Sequence, residues 1–384
     1  MLLRTPNFYT KFHCKADKCT DTCCIGWEID IDEASQAKYR NINGDFGKKM
    51  KSSIKDGHFI LNENDICPFL NKCGLCEIYL HLGEDALCDI CREHPRFVEV
   101  YGDVKEQGIG LCCEEGVRLL LEESVTTKNA AQENERKAPI IQFTEREIDD
   151  IPDELPDDAR DARDQIFNER EDMFAILSLR ENPLNKRLLM LLKYAVEMSG
   201  ISEDSCTNNA ADIHANNAAD IAKIYCEWIK ILGKGESFGP AWDKAYKAIS
   251  ENGWRNSSNK NNHIQKNRRN SLFNDDDGAK IVAYMLFRYY AKSLFDGDSL
   301  GKVQFAIFFW IILREFGQEL AGISENEVPA ADPKNKFIDP RIATVKLLSK
   351  QVEYSDEVMD TLAKAFADNK AFSVESILLL LQEK

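Results

Sequence analysis

Sulfur is where this chain could do chemistry. Eleven of its 13 cysteines stand within the first 113 residues, in four groups: Cys14, Cys19, Cys23 and Cys24; Cys67, Cys73 and Cys76; Cys88 and Cys91; Cys112 and Cys113. The rest of the chain holds only Cys206 and Cys226. Two intervening residues let a pair of thiolates reach one metal from a tight turn, so Cys73-x-x-Cys76 and Cys88-x-x-Cys91, flanked by further groups, point to a metal site. Adjacent side chains point in different directions, so neither Cys23 with Cys24 nor Cys112 with Cys113 is expected to give both thiols to one metal. Four ligands would leave seven of the eleven for burial or for a second centre. All-thiolate coordination alone does not separate zinc from iron–sulfur. His81 and His94 are read as hydrogen-bonding residues in preference to ligands.

The elements that must position these thiols are short. Residues 1–121 are expected to form a loop-rich cysteine and metal module. It has a short helix from Ser35, an extended segment at His58-Phe59-Ile60-Leu61, and a closing helix over Gly116–Glu123, with Glu114 and Glu115 at its positive end. Residues 122–165 carry Pro139, Pro152 and Pro156 and an acidic bias from Glu145 to Asp164, and read as a connector. Over 166–384, apolar residues recur at three- and four-residue spacing, as in Ile281, Tyr284, Met285, Arg288 and Tyr289. Helices are predicted over 166–179, 183–198, 218–232, 241–250, 279–295, 302–320, 339–350, 355–367 and 374–382. The expected fold class is mainly α: a loop-rich cysteine/metal module followed by an all-α helical bundle.

Composition narrows the function classes. With 43% hydrophobic and 9% aromatic residues the chain can bury genuine cores. Its N-terminus shows no apolar h-region, so a cytoplasmic location is expected, where thiols stay reduced and clustered cysteines bind metals more often than they form disulfides. The longest apolar run, Phe305 to Leu313, is far shorter than the roughly 20 residues a membrane span needs. A net charge of -16 opposes attraction to nucleic acid, and the basic stretch from Lys260 to Arg269 reads as a solvated loop.

Several segments carry a family resemblance. They are Phe12-His13-Cys14, Cys19 to Trp27, Ile29-Asp30-Ile31-Asp32, Cys67-Pro68-Phe69-Leu70, Gly74 to Ile78, Leu82-Gly83-Glu84, Cys91 to Arg96 and the Cys112 segment. In order and spacing they resemble the flagellin lysine-N-methylase family. The likeness extends more loosely through Phe287-Arg288-Tyr289-Tyr290, Asp296-Gly297-Asp298 and Glu353-Tyr354-Ser355. The first half is also similar to the zinc/iron-chelating cysteine-rich family. The resemblance implies a cytoplasmic enzyme that transfers methyl groups from S-adenosylmethionine to lysine ε-amino groups of flagellin, with a 4Fe-4S cluster. It implies that the cluster ligands come from Cys14, Cys19, Cys23, Cys24, Cys67, Cys76, Cys91 and Cys112. Cys73, Cys88 and Cys113 stand where the family carries other residues.

Methyl transfer to an amine needs a neutral nitrogen in line with the sulfonium methyl, in a water-poor site. Lysine's reference pKa near 10.4 means that its surroundings must favour the neutral form. Asp30, Asp32 and Glu106 are weighed as proton acceptors against capping and surface roles. Trp27, Tyr101, Tyr289 and Tyr290 are weighed as sulfonium contacts against core packing. The sequence names no catalytic residue. Gly108-Ile109-Gly110 is only a fragment of a nucleotide-binding turn, and no C-x3-C-x2-C triad is present, so polar transfer is expected over radical chemistry. The competing readings are a zinc or iron–sulfur interaction module and a redox-sensing protein.

Overall fold

The structure is a computed structural model that describes residues 1–20, 22–25, 28–63, 65–122, 138–200, 217–252, 272–321 and 338–382. Trp27 and the basic stretch from Lys260 to Arg269 lie outside them. The fold is mainly α. Five short helices lie in the first third: α1 (Glu33–Arg40), α2 (Gly44–Ser52), α3 (Glu77–Leu82), α4 (Asp89–Glu93) and α5 (Glu114–Glu122).

All nine helices expected from apolar periodicity are present. They are α6 (Asp157–Leu177), α7 (Leu184–Met198), α8 (Asn217–Leu232), α9 (Pro240–Asn252), α10 (Asp275–Tyr289), α11 (Ser299–Leu320), α12 (Pro340–Glu353), α13 (Asp356–Asp368) and α14 (Val374–Gln382). Their starts are chemically marked. Asn274 and Asp277 form a reciprocal capping box on α10, Asp298 caps α11 and Ser355 caps α13, each satisfying a terminal N–H that the helix cannot. The two helices buried almost all round, α10 and α11, form the bundle's centre. On α11 the charges Arg314 and Glu315 are buried as a pair 2.7 Å apart. Among the described residues no helix is long and apolar enough to cross a membrane.

One feature the helical pattern does not announce is a four-stranded sheet. Its strands are β1 (Leu2–Pro6), β2 (Arg96–Tyr101), β3 (Val104–Ile109) and β4 (Phe143–Glu147), in the order β2-β3-β1-β4. β1 runs parallel to β3 with Leu2 opposite Val104, and antiparallel to β4 with Leu2 opposite Glu147. β4 is an edge strand with four exposed residues in the order Thr144, Glu145, Arg146 and Glu147, so its sequence reads as charged connector. The segment His58-Phe59-Ile60-Leu61 contributes a two-residue strand, His58–Phe59, paired with Ile54–Lys55.

Two cores result. One joins Phe8, Phe12, Ile109, Leu111 and the apolar face of α5 to the helical bundle. The other packs Ile29, Ile31, Tyr39, Met50, Phe59, Phe69 and Ile78 around Cys67 and Cys88. A fully buried ion pair fastens the sheet to α6, where Arg170 Nη1 donates to Glu106 at 2.9 Å and also to the Phe287 carbonyl at 3.1 Å.

Candidate functional site

The second core gathers thiols from four stretches of chain. The Cys67 N–H donates to the Cys24 carbonyl at 2.9 Å, and Ile25 bridges Ile66, so the first two cysteine groups run side by side. Cys76 precedes α3 and Cys88 precedes α4, which carries Cys91. One carboxylate sets this register. Asp32 caps α1 through the Ser35 N–H at 2.8 Å, and its other oxygen accepts from the Asp89 N–H at 2.9 Å. The Asp89 bond, aided by Ser35, holds the Asp32 carboxyl down at about 2.

The thiols feel one another. Cys67 lies within electrostatic reach of Cys76, Cys88 and Cys23, and Cys91 within reach of Cys88, Cys24 and Cys67. Burial pushes Cys67 up to about 11 and raises Cys76. Cys88 and Cys91 are hydrogen-bonded to each other, which lowers Cys88 and raises Cys91. The Cys23 thiol is raised by its bond with Cys24 and then by burial. No disulfide is present among the described cysteines.

Of the eight cysteines implied by the resemblance, Cys23, Cys24, Cys67, Cys76 and Cys91 therefore share this region, together with Cys88. The other three lie elsewhere. Cys14 is exposed, Cys19 lies within reach of Cys113, and Cys112 is buried against the bundle. Glu114 binds the Cys14–Cys19 loop to the start of α5, accepting from Lys15 Nζ at 2.7 Å and from the Thr20 N–H at 3.1 Å. The donor set fits a thiolate-bound metal centre in its chemistry, being soft and free of disulfides, with Cys67 and Cys88 buried in the apolar core, Cys24, Cys76 and Cys91 at its edge and Cys23 exposed. Among the described residues no group of three or more His, Cys, Asp or Glu is already arranged to hold a metal ion.

A second constellation forms where the thiol region meets the bundle. Cys112 Sγ donates to Tyr354 Oη at 3.0 Å, joining positions 242 residues apart. Tyr354 follows directly on α12, and its ring lies 6.3 Å from that of His94. Behind it Glu353, whose side chain is fully buried, accepts from Arg288 Nη1 at 2.7 Å, Tyr289 Oη at 2.8 Å and Ser349 Oγ at 2.6 Å. The Arg288 guanidinium also covers the rings of Phe97, Tyr289 and Tyr354 at 4.9, 5.2 and 5.7 Å. Burial, reinforced by the charges of Lys350 and Arg288, holds the His94 imidazole down at about 4, so at neutral pH it is uncharged.

The glycines beside this site have a steric purpose. A Cβ on Gly108 would stand 2.3 Å from Phe97 and 2.7 Å from Tyr284 Oη, and one on Gly110 would stand 2.6 Å from Tyr354 Oη. Tyr284 Oη uses the space to accept from the Ile109 N–H at 2.6 Å and donate to its carbonyl at 2.7 Å. Gly108 and Gly110 thus admit tyrosines, where a nucleotide turn would admit phosphate.

The carboxylates weighed as proton acceptors are engaged otherwise. Asp32 is a cap, Asp30 lies 2.5 Å from His58 at the surface, and Glu106 is buried against Arg170. Tyr101 is buried against Phe167 and Phe295, and Tyr290 donates to Glu169 at 2.6 Å. His81 is exposed, with its ring 4.6 Å from that of Phe46. Tyr354 and Lys350 were not singled out from sequence. The available signal was that the likeness ran through Phe287–Tyr290 and Glu353–Ser355, the two segments that meet here.

No family model matches the chain, and no solved structure matches it. It is 26% identical over 153 residues to proteins named Lysine-N-methylase from Salmonella typhimurium and Salmonella choleraesuis, covering 35% of this chain. The chain spans about 37% of the length of those relatives. A protein of Salmonella muenchen named Flagellar biosynthetic protein FliU is 27% identical over 129 residues, which are 30% of this chain and 75% of that protein. Over about a third of its length, then, the chain is similar to proteins named Lysine-N-methylase and to one named as a flagellar biosynthetic protein.

Proposed function

We propose that the protein is a protein-lysine N-methyltransferase that moves methyl groups from S-adenosylmethionine to lysine ε-amino groups of flagellin in the cytoplasm. The observation that carries this reading is the likeness to proteins named Lysine-N-methylase, with that to a flagellar biosynthetic protein beside it. We take the partly buried cluster of Arg288, Tyr289, Glu353, Tyr354, Cys112 and His94, next to the thiol region, as the neighbourhood of the transfer.

The reaction is a polar displacement. The lone pair of a neutral lysine nitrogen forms the new N–C bond, the C–S bond breaks with its electron pair left on sulfur, and the amine's proton leaves to solvent or a nearby base. The chain's own contributions are to exclude water and hold the amine. A 4Fe-4S cluster, with zinc as the alternative, would draw its ligands from Cys23 or Cys24, Cys67, Cys76, Cys88 and Cys91. When bound it would supply a redox-active or Lewis-acidic centre.

The test is incubation of iron-replete protein, prepared without air, with flagellin and methyl-labelled S-adenosylmethionine. Label on lysine ε-nitrogens is the expected result, and its absence overturns the reading. The hydrogen-bonded Cys88–Cys91 pair favours redox sensing as the second reading. A reversible Cys88–Cys91 disulfide in a protein that methylates nothing would decide for it.

A further inference from the structure

We propose that the open edge of β4 is a docking site for an extended, lysine-bearing segment of the protein substrate, which adds a further strand to the four-stranded sheet. The identity of the occupant rests on the methyltransferase reading, and the strand site rests on the geometry of the sheet.

The register fixes which backbone groups are available. Met1 and Ile148 exchange both of their hydrogen bonds, at 3.0 and 2.9 Å, and the Asn7 N–H donates to the Gln142 carbonyl at 2.9 Å. In an antiparallel pair bonded positions alternate, so Thr144 and Arg146 also direct their N–H and C=O groups to β1. Phe143, Glu145 and Glu147 then aim theirs away from β1. Pro6, which has no N–H to give, stands opposite Phe143, a position where the ladder asks for none. Among the described residues β4 has one neighbour, β1, and Thr144 to Glu147 are exposed. A row of outward donors and acceptors on an exposed edge is the template on which an extended peptide is received.

Charge selects the occupant. Glu145 and Glu147 share one face of β4 with Phe143, because side chains two apart point the same way. Asp149 and Asp150 follow, both exposed, and Ile151 beyond them is 90% exposed. Nearby cations match only part of this charge. Arg4 lies 3.5 Å from Glu145 but is shared with Glu171, and Lys105 meets Asp150 at 2.6 Å. Glu147 and Asp149 have no cationic partner among the described residues.

A second copy of the chain does not suit this edge. Antiparallel pairing centred on Glu145 sets the two Glu145 side chains against each other. Pairing centred on Arg146 sets arginine against arginine and Glu145 against Glu147, and like charges directly opposite are destabilising. A strand with lysines two residues apart places each opposite a glutamate, and an apolar residue two further on meets Phe143, whose ring packs on Phe174 and Phe287. Phe287 in turn meets Phe97, the ring that Arg288 covers, so the edge and the junction belong to one aromatic cluster.

The probe is the acetylated, amidated peptide Thr-Lys-Thr-Lys-Thr-Val-Thr, which matches the edge in the antiparallel sense, with its Glu-for-Lys counterpart as control, added to the full-length, metal-replete protein. Amide exchange followed by NMR is expected to slow at Glu145 and Glu147 and to stay unchanged at Thr144 and Arg146, whose N–H groups are already bonded to β1. Glu145→Pro removes an outward N–H and leaves the β1 ladder its donors, so peptide binding should weaken about tenfold and KM for flagellin rise with kcat unchanged. Glu145→Thr keeps the N–H and the strand propensity, and should weaken binding about threefold while lowering its salt dependence. No protection, equal binding of the two peptides, or an active Glu145→Pro variant with native KM overturns the docking site. A wild type that shows the alternating protection yet labels no lysine of flagellin overturns the methyltransferase reading and upholds the strand site.

Discussion

Replacing Glu353 by Gln tests whether the junction is held by charge or by shape. The carboxylate is fully buried and takes three hydrogen bonds, from Arg288, Tyr289 and Ser349. Gln preserves the volume and removes the charge, so the Arg288 side chain, 12% exposed, is left with a cation that water cannot adequately solvate. Orphaning one member of a buried pair costs about 3–5 kcal/mol. Arg288→Met should cost a similar amount, because it leaves the carboxylate buried with only two hydroxyl donors and removes the cover over Phe97, Tyr289 and Tyr354. The double variant removes both charges and keeps an apolar stem over the rings. Its loss should fall short of the sum of the single losses by about 2–3 kcal/mol. Urea unfolding of the four proteins measures that coupling. If the losses add to within about 0.5 kcal/mol, the two groups act independently and the charge pair does not organise the junction.

Other perturbations probe the neighbouring contacts. Gly110→Ala places a methyl 2.6 Å from Tyr354 Oη, so we expect a loss of about 1–3 kcal/mol and faster alkylation of Cys112 as the hydroxyl withdraws; an unchanged alkylation rate would contradict the packing. His94 is held at about 4 in the fold against an ordinary 6.5, so the unfolded chain binds more protons between those values and stability falls as pH drops through them. The slope from this group approaches 1.4 kcal/mol per pH unit at most, and His94→Gln should flatten the urea midpoint against pH between 6.5 and 4. For the thiol region, Cys67→Ser, Cys76→Ser and Cys91→Ser should lower iron and sulfide per chain after anaerobic reconstitution, while Cys112→Ser retains them. The reverse ranking would move the centre to the bundle side. Glu114→Gln should speed amide exchange over residues 15–20 by releasing Lys15 and Thr20.

The helices were legible because each buries a stripe wide enough to register in sequence, and α10 and α11, buried nearly all round, register as apolar runs. The sheet was not legible. β1 is five residues at the chain start, and its partner β4 has the composition of a linker because its residues face water at a sheet edge. Cysteine spacing marked the thiol region but could not separate Cys88, which faces Cys91, from Cys73, which is exposed. The junction was hidden for a different reason. Cys112 and Tyr354 are 242 residues apart, and no local pattern encodes a contact between a thiol and a phenol. The glycines beside it carried the only local signal, and in sequence they were set aside as a fragment of a nucleotide-binding turn without being assigned another role. Gly-x-Gly after a strand suggests close approach of a phosphate, whereas the same absence of Cβ here accommodates Tyr284 and Tyr354. A glycine pair reports that something approaches the backbone closely, and only the fold identifies what. In this chain it is the aromatic residues that tie the bundle to the cysteine-bearing third, which is why the thiol chemistry and the α10–α12 face should be tested as one site.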